Sequence, residues 1–149
     1  MRNILLLSVL LALPSVPLAC PNIIGVWKSS KEKSMSHNLF NSGASELQLS
    51  FSAQAFGNLK IKYSLDESYI YPSTSVAISL DGEESEFSVD ESLSSYKVVN
   101  CTKDTLFLRF NSEEYGAYEN TFHFEGADVY WVSSEYAPEL REYFVRISE

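Results

Sequence analysis

Histidine occurs only twice in the 149 residues, at His37 and His123, and cysteine only twice, at Cys20 and Cys101. No spacing among these four side chains suits a metal ion. Glycine is also scarce, and neither a Gly-x-Ser-x-Gly turn nor a phosphate-cradling glycine loop is present. Ser30–Lys33 and Ser94–Lys97 fit Ser-x-x-Lys, a match that a serine-rich chain produces by chance. The acids gather at Asp81–Glu86, Asp90–Glu91 and Glu113–Glu114, beside turn signals, where nothing sets two carboxylates at catalytic distance. The expectation is therefore a protein that is not an enzyme, with no catalytic residue, no metal ligand and no cofactor. Basic residues are few as well, 11 against 20 acidic, for a formal charge of −9. Nucleic acid and anionic membrane both call for basic surface, so neither is the expected partner.

Long apolar runs are absent too. The longest, Ile4 to Leu13, is broken only by Ser8 and covers about half of the ~20 residues that a membrane-spanning helix needs. It follows Arg2 and precedes the helix-breaking stretch Pro14 to Ala19. A cationic end, an apolar core and a small residue at the cut form the layout of an export signal. Residues 1–19 are thus expected to be a cleavable signal and residues 20–149 a single domain that is periplasmic or secreted. Its removal takes away Arg2 and no acid, leaving a formal charge of −10. Cleavage after Ala19 makes Cys20 the first mature residue, and two outcomes stand open. In an oxidising compartment Cys20 and Cys101 form a disulfide, closing a loop of about 80 residues with about 4 kcal/mol of stabilisation. Alternatively Cys20 carries a lipid anchor, although Pro17 occupies the place where the bacterial lipobox has Leu, Val or Ile.

What is abundant is alternation. Leu47, Leu49, Phe51 and Ala53 alternate with polar residues, as do Leu59, Ile61, Tyr63 and Leu65; Gly57-Asn58 between them reads as a hairpin turn. Val76, Ile78 and Leu80 lead into Asp81-Gly82, a dipeptide suited to the positive φ values of a two-residue turn. Further strands read at Phe87–Val89, Tyr96–Val98, Leu106–Phe110, Phe122–Phe124 and Val129–Val132, with a turn at Glu125-Gly126. In the last strand Arg141, Tyr143, Val145 and Ile147 share one face. Ser34 to Ser45 reads as polar loop. About eight to ten short strands joined by turns, with little helix, describe an all-β fold, here a single antiparallel up-and-down barrel.

Gly25-Val26-Trp27-Lys28, at the start of the first strand, resembles the Gly-x-Trp of the lipocalins and fatty-acid-binding proteins, the calycin group. The resemblance implies a lipocalin-like barrel whose closed end is plugged by Trp27, with Gly25 beside it and a basic residue from late in the chain packed on the ring. Arg141-Glu142-Tyr143 is similar to the Arg-x-Tyr of the last strand in fatty-acid-binding proteins, which implies that Arg141 and Tyr143 hold a ligand carboxylate. The alternatives are that Arg141 lies in solvent, or that Arg146 is the residue packed on Trp27. Asn100-Cys101-Thr102 is formally a glycosylation sequon.

Two functions follow. One is a carrier that holds a small hydrophobic or anionic ligand inside the barrel, with Arg141 and Tyr143 orienting an acid group. The other is a periplasmic inhibitor or immunity protein, whose acidic surface engages a basic protein. An open interior favours the first and a packed one the second.

Overall fold

The computed structural model describes residues 19–134 and 137–148. The expected export signal lies outside them except for its last residue. Alternation becomes eight strands of one closed barrel: β1 (Gly25–Ser29), β2 (Lys60–Tyr63), β3 (Glu67–Ile70), β6 (Ser92–Cys101), β7 (Thr105–Ser112), β8 (Gly116–Phe124), β9 (Val129–Ser133) and β10 (Arg141–Ile147). They close in the order β1-β10-β9-β8-β7-β6-β3-β2, and every pairing is antiparallel. The barrel is the up-and-down arrangement the sequence implies, with one excursion between β3 and β6. There β4 (Val76–Leu80) and β5 (Glu83–Phe87) pair only with each other. Their turn is the expected Asp81-Gly82, with φ of 52° and 82° and Leu80 paired to Glu83.

One end of the barrel is sealed. Trp27 is fully buried, donates its indole N–H to the Ile23 carbonyl at 2.7 Å, and packs 4.7 Å from the Tyr130 ring. Arg146, paired with Trp27 across β1 and β10, lays its guanidinium 4.3 Å from the indole. The same guanidinium donates to the carbonyls of Asn22, Ile24 and Ala127 and to the Asp128 carboxylate. Gly25 is required here: its φ is +134°, and a Cβ would come 2.6 Å from Arg146 Nη1. The disulfide between Cys20 and Cys101, with Cα atoms 5.5 Å apart, fastens the segment before β1 to the end of β6. It occupies the sulfur that a lipid anchor on Cys20 would need. Among the described residues no helix is long and apolar enough to cross a membrane.

Two segments differ from the sequence expectation. Ser34 to Ser45, expected as loop, lies largely within α1 (Lys31–Asn41), capped by Ser30. Leu47 to Ala53, expected as a strand, lies within α2 (Glu46–Ala55), and Gly57 follows the helix end with φ +95° instead of turning a hairpin. Both helices bury polar or small residues and expose apolar ones. Ser34, Asn38, Ser52 and Ala55 are buried, while Leu39, Phe40 and Leu47 are exposed. Apolar spacing therefore carried no helical period. The local signal was the capping box at α2, where Ser45 bonds the Gln48 N–H and Gln48 bonds the Ser45 N–H.

The buried polar face of α1 has a backbone task. β1 stops at Ser29, so β10 has no strand partner on that side beyond Tyr143. The Asn38 carboxamide substitutes for one, donating to the Arg141 carbonyl and accepting from the Arg141 N–H, both at 2.9 Å. The Ser34 hydroxyl accepts from the Tyr143 N–H at 2.8 Å. Asn38→Ala strands two partly buried backbone groups of β10, and we expect a loss of about 1–3 kcal/mol in urea unfolding. A change near zero would mean that water replaces the carboxamide without cost.

Candidate functional site

Because Trp27 and Arg146 fix which face of β1 and β10 points inward, alternation places Ser29, Phe144 and Glu142 inside as well. Above the sealed end the interior is not filled. A cavity of about 120 Å³ is walled by the rings of Tyr63, Phe110, Tyr118, Phe122, Tyr130 and Phe144. Aliphatic groups from Leu59, Ile61, Ile70 and Val132 complete the apolar lining, and Ser68, Asn120 and Glu142 are its polar members. The rings support one another: Tyr130 stacks on Phe144 at 4.9 Å, and Phe122 meets Tyr130 edge-on at 5.1 Å. The volume approaches the roughly 150 Å³ of an apolar cavity that accommodates benzene.

A second space of about 410 Å³ lies at the mouth and shares Leu59, Ile70, Asn120, Val132 and Glu142 with the first. Its cover consists of Phe51, Ala55 and Phe56 at α2 and the segment from Phe87 to Asp90 after β5. α2 and the β4–β5 hairpin are joined to each other. Gln54 donates to the Ser79 carbonyl at 3.0 Å and accepts from the Ser79 N–H at 2.8 Å, and Phe51 meets Phe87 edge-on.

Glu142 stands where the two spaces join. Its surface is partly accessible, and that remainder faces the cavities. The Ser29 hydroxyl donates to Oε1 at 2.5 Å and itself accepts from the Gly57 N–H at 2.9 Å. Burial pushes the carboxyl up to about 7, against the smaller opposing effect of the Ser29 hydrogen bond. Among the described residues no salt bridge reaches it. Deeper in, the fully buried Tyr130 hydroxyl lies near that of Tyr63 and makes no hydrogen bond of ordinary geometry among the described residues. Burial raises its pKa well above the ordinary value, and the nearby Tyr63 hydroxyl and Glu142 carboxylate push the same way.

Arg141 and Tyr143, expected to face the interior, lie on the outer face instead. Arg141 sits 3.8 Å over the Trp131 ring, which stacks on His123 at 3.9 Å. Tyr143 packs under α1 beside His37 and donates its hydroxyl to Glu125 at 3.1 Å. Burial and the Arg141 charge lower the pKa of both His37 and His123. Alternation had weighed the apolar Tyr143, Val145 and Ile147 as the inner face. The outer face of β10 is apolar there because α1 covers Tyr143. The signal that locates Glu142 was nonetheless present: once Arg146 is the residue on Trp27, a residue four positions earlier points the same way. Ser29, Tyr130 and Asn38 carried no sequence signal of their own. Gly25, Trp27, Cys20 and Cys101 all occupy the sealed end.

Since the folded-state value near 7 exceeds the ordinary 4.5, the folded protein holds the Glu142 proton more tightly than the unfolded chain. This contribution to stability is full below about pH 4.5 and is lost as pH rises through about 7. Its size is about 3 kcal/mol. We expect wild type to lose about that much more stability than Glu142→Gln between about pH 5 and pH 8, measured by urea unfolding. Parallel profiles for the two proteins would show that the carboxyl titrates normally.

Among the described residues no three His, Cys, Asp or Glu side chains converge as a metal site. Comparison of the chain with protein-family models, curated proteins and solved structures finds no match.

Proposed function

We propose that this chain is an exported, lipocalin-like binding protein that carries a small, largely apolar molecule inside its barrel and catalyses no reaction on it. The observation that supports this most is the unfilled, aromatic-walled interior continuous with a covered mouth. Protein interiors are ordinarily packed to crystal density, so an apolar void of this kind costs stability unless something occupies it. The Gly25–Trp27–Arg146 arrangement supports the calycin resemblance, since a late basic residue lies over the first-strand Trp. Export is supported by the residue 1–19 pattern and by a disulfide that suits an oxidising compartment.

A second reading keeps one observation of its own. Glu67, Glu91, Glu113 and Glu114 line a surface groove with the exposed Leu93. Such a groove suits a basic protein partner, and a complex unaffected by salt would contradict it.

The carrier reading is tested with Nile red, a neutral fluorophore that brightens in apolar surroundings. Wild type is expected to bind it with saturation. Ile70→Trp, which fills the junction of the two cavities, is expected to weaken binding by about tenfold or more while the protein stays folded by circular dichroism. No saturable binding by wild type would overturn the reading.

A further inference from the structure

The polar groups of the cavity specify the charge of its ligand. Six aromatic rings surround a space whose lining contains one carboxyl group and no Lys, Arg or His. Aromatic faces carry negative charge density and attract cations. Glu142 Oε1 is engaged by Ser29, and the Glu142 side chain lines the cavity. The Tyr130 hydroxyl, fully buried and without a hydrogen bond of ordinary geometry among the described residues, belongs to a side chain of the same lining. An anion placed here would meet the Glu142 charge with no cation to offset it, in surroundings where charges are weakly screened. A neutral hydrocarbon would leave both polar groups unanswered, at a cost for each.

From this we propose that the ligand is a compact organic cation, an aryl- or alkyl-ammonium whose nitrogen pairs with Glu142 and whose apolar body lies among Tyr63, Phe122, Tyr130 and Phe144. This rests on the carrier reading and narrows it. An ammonium supplies only donors, which matches a carboxylate oxygen and a phenol oxygen that both accept. The size of the cavity confines the body to about one ring or a short chain, with the mouth available for more. The preference is opposite to that implied by Arg141 and Tyr143, which lie outside the barrel.

Three probes with a shared skeleton test it: phenethylamine, 2-phenylethanol and phenylacetate, titrated calorimetrically into the folded, oxidised protein. About pH 8 suits the experiment, because the amine remains protonated there while Glu142 is ionised. Wild type is expected to bind the amine about tenfold or more tightly than the alcohol, and phenylacetate least. Glu142→Gln keeps the shape of the side chain and removes its charge, so it is expected to lose the preference for the amine over the alcohol. Equal affinity for amine and alcohol, tighter binding of phenylacetate, or an amine preference that survives Glu142→Gln would overturn the inference and leave the carrier reading standing. Binding of none of the three, together with no Nile red binding, would overturn both.

Discussion

A carboxyl group moved out of water must be neutralised, paired or supplied with donors, because the loss of hydration otherwise costs several kcal/mol. Among the described residues Glu142 receives a hydrogen bond from Ser29, and burial nonetheless raises its affinity for a proton. The energetic penalty of this one side chain is the constraint against which the rest of the structure is arranged. Ser29 is fixed by the Gly57 N–H, Tyr143 by Ser34 and Arg141 by Asn38, so the backbone on both sides of Glu142 is held. A group that burdens stability is thus given a rigid mount, a combination usual at binding sites.

The two ends of the barrel divide the work. At the sealed end Trp27, Arg146 and the Cys20–Cys101 disulfide gather the N-terminal segment, the β6–β7 turn and the β8–β9 turn into one closure. At the other end the connections are long. α1 and α2 join β1 to β2, and the β4–β5 hairpin joins β3 to β6. Both excursions fold over the mouth and are joined to each other through Gln54 and Ser79. Access to the cavity is therefore a property of this cover and not of the strands below it. The helices also explain the exposed Leu39 and Phe40: α1 turns its Ser34–Asn38 side to the barrel, and its apolar residues take the outer side.

Most of the barrel was legible because its strands are half-buried, and half-buried strands alternate. The Asp81-Gly82 turn, the Trp27 plug and the cysteine pair were legible for local reasons of backbone and chemistry. The helices were not, since Leu47, Leu49 and Phe51 alternate like a strand and the contacts that hold α1 are made by serine and asparagine. The site failed at one step, the direction of β10. Arg141-Glu142-Tyr143 carries a charged or polar group at each position, so composition could not choose the inner residue. Register against Trp27 does choose it, and register is a fact of pairing.

The most direct measurement of the central claim is a carbon-13 NMR titration of the glutamate side-chain carboxyls in the ligand-free protein, with Glu142→Gln to assign the signal. The account predicts that the Glu142 signal titrates near 7. A Glu142 signal that titrates near the ordinary 4.5 would show a solvated carboxyl, and would contradict the buried site on which the ligand assignment depends.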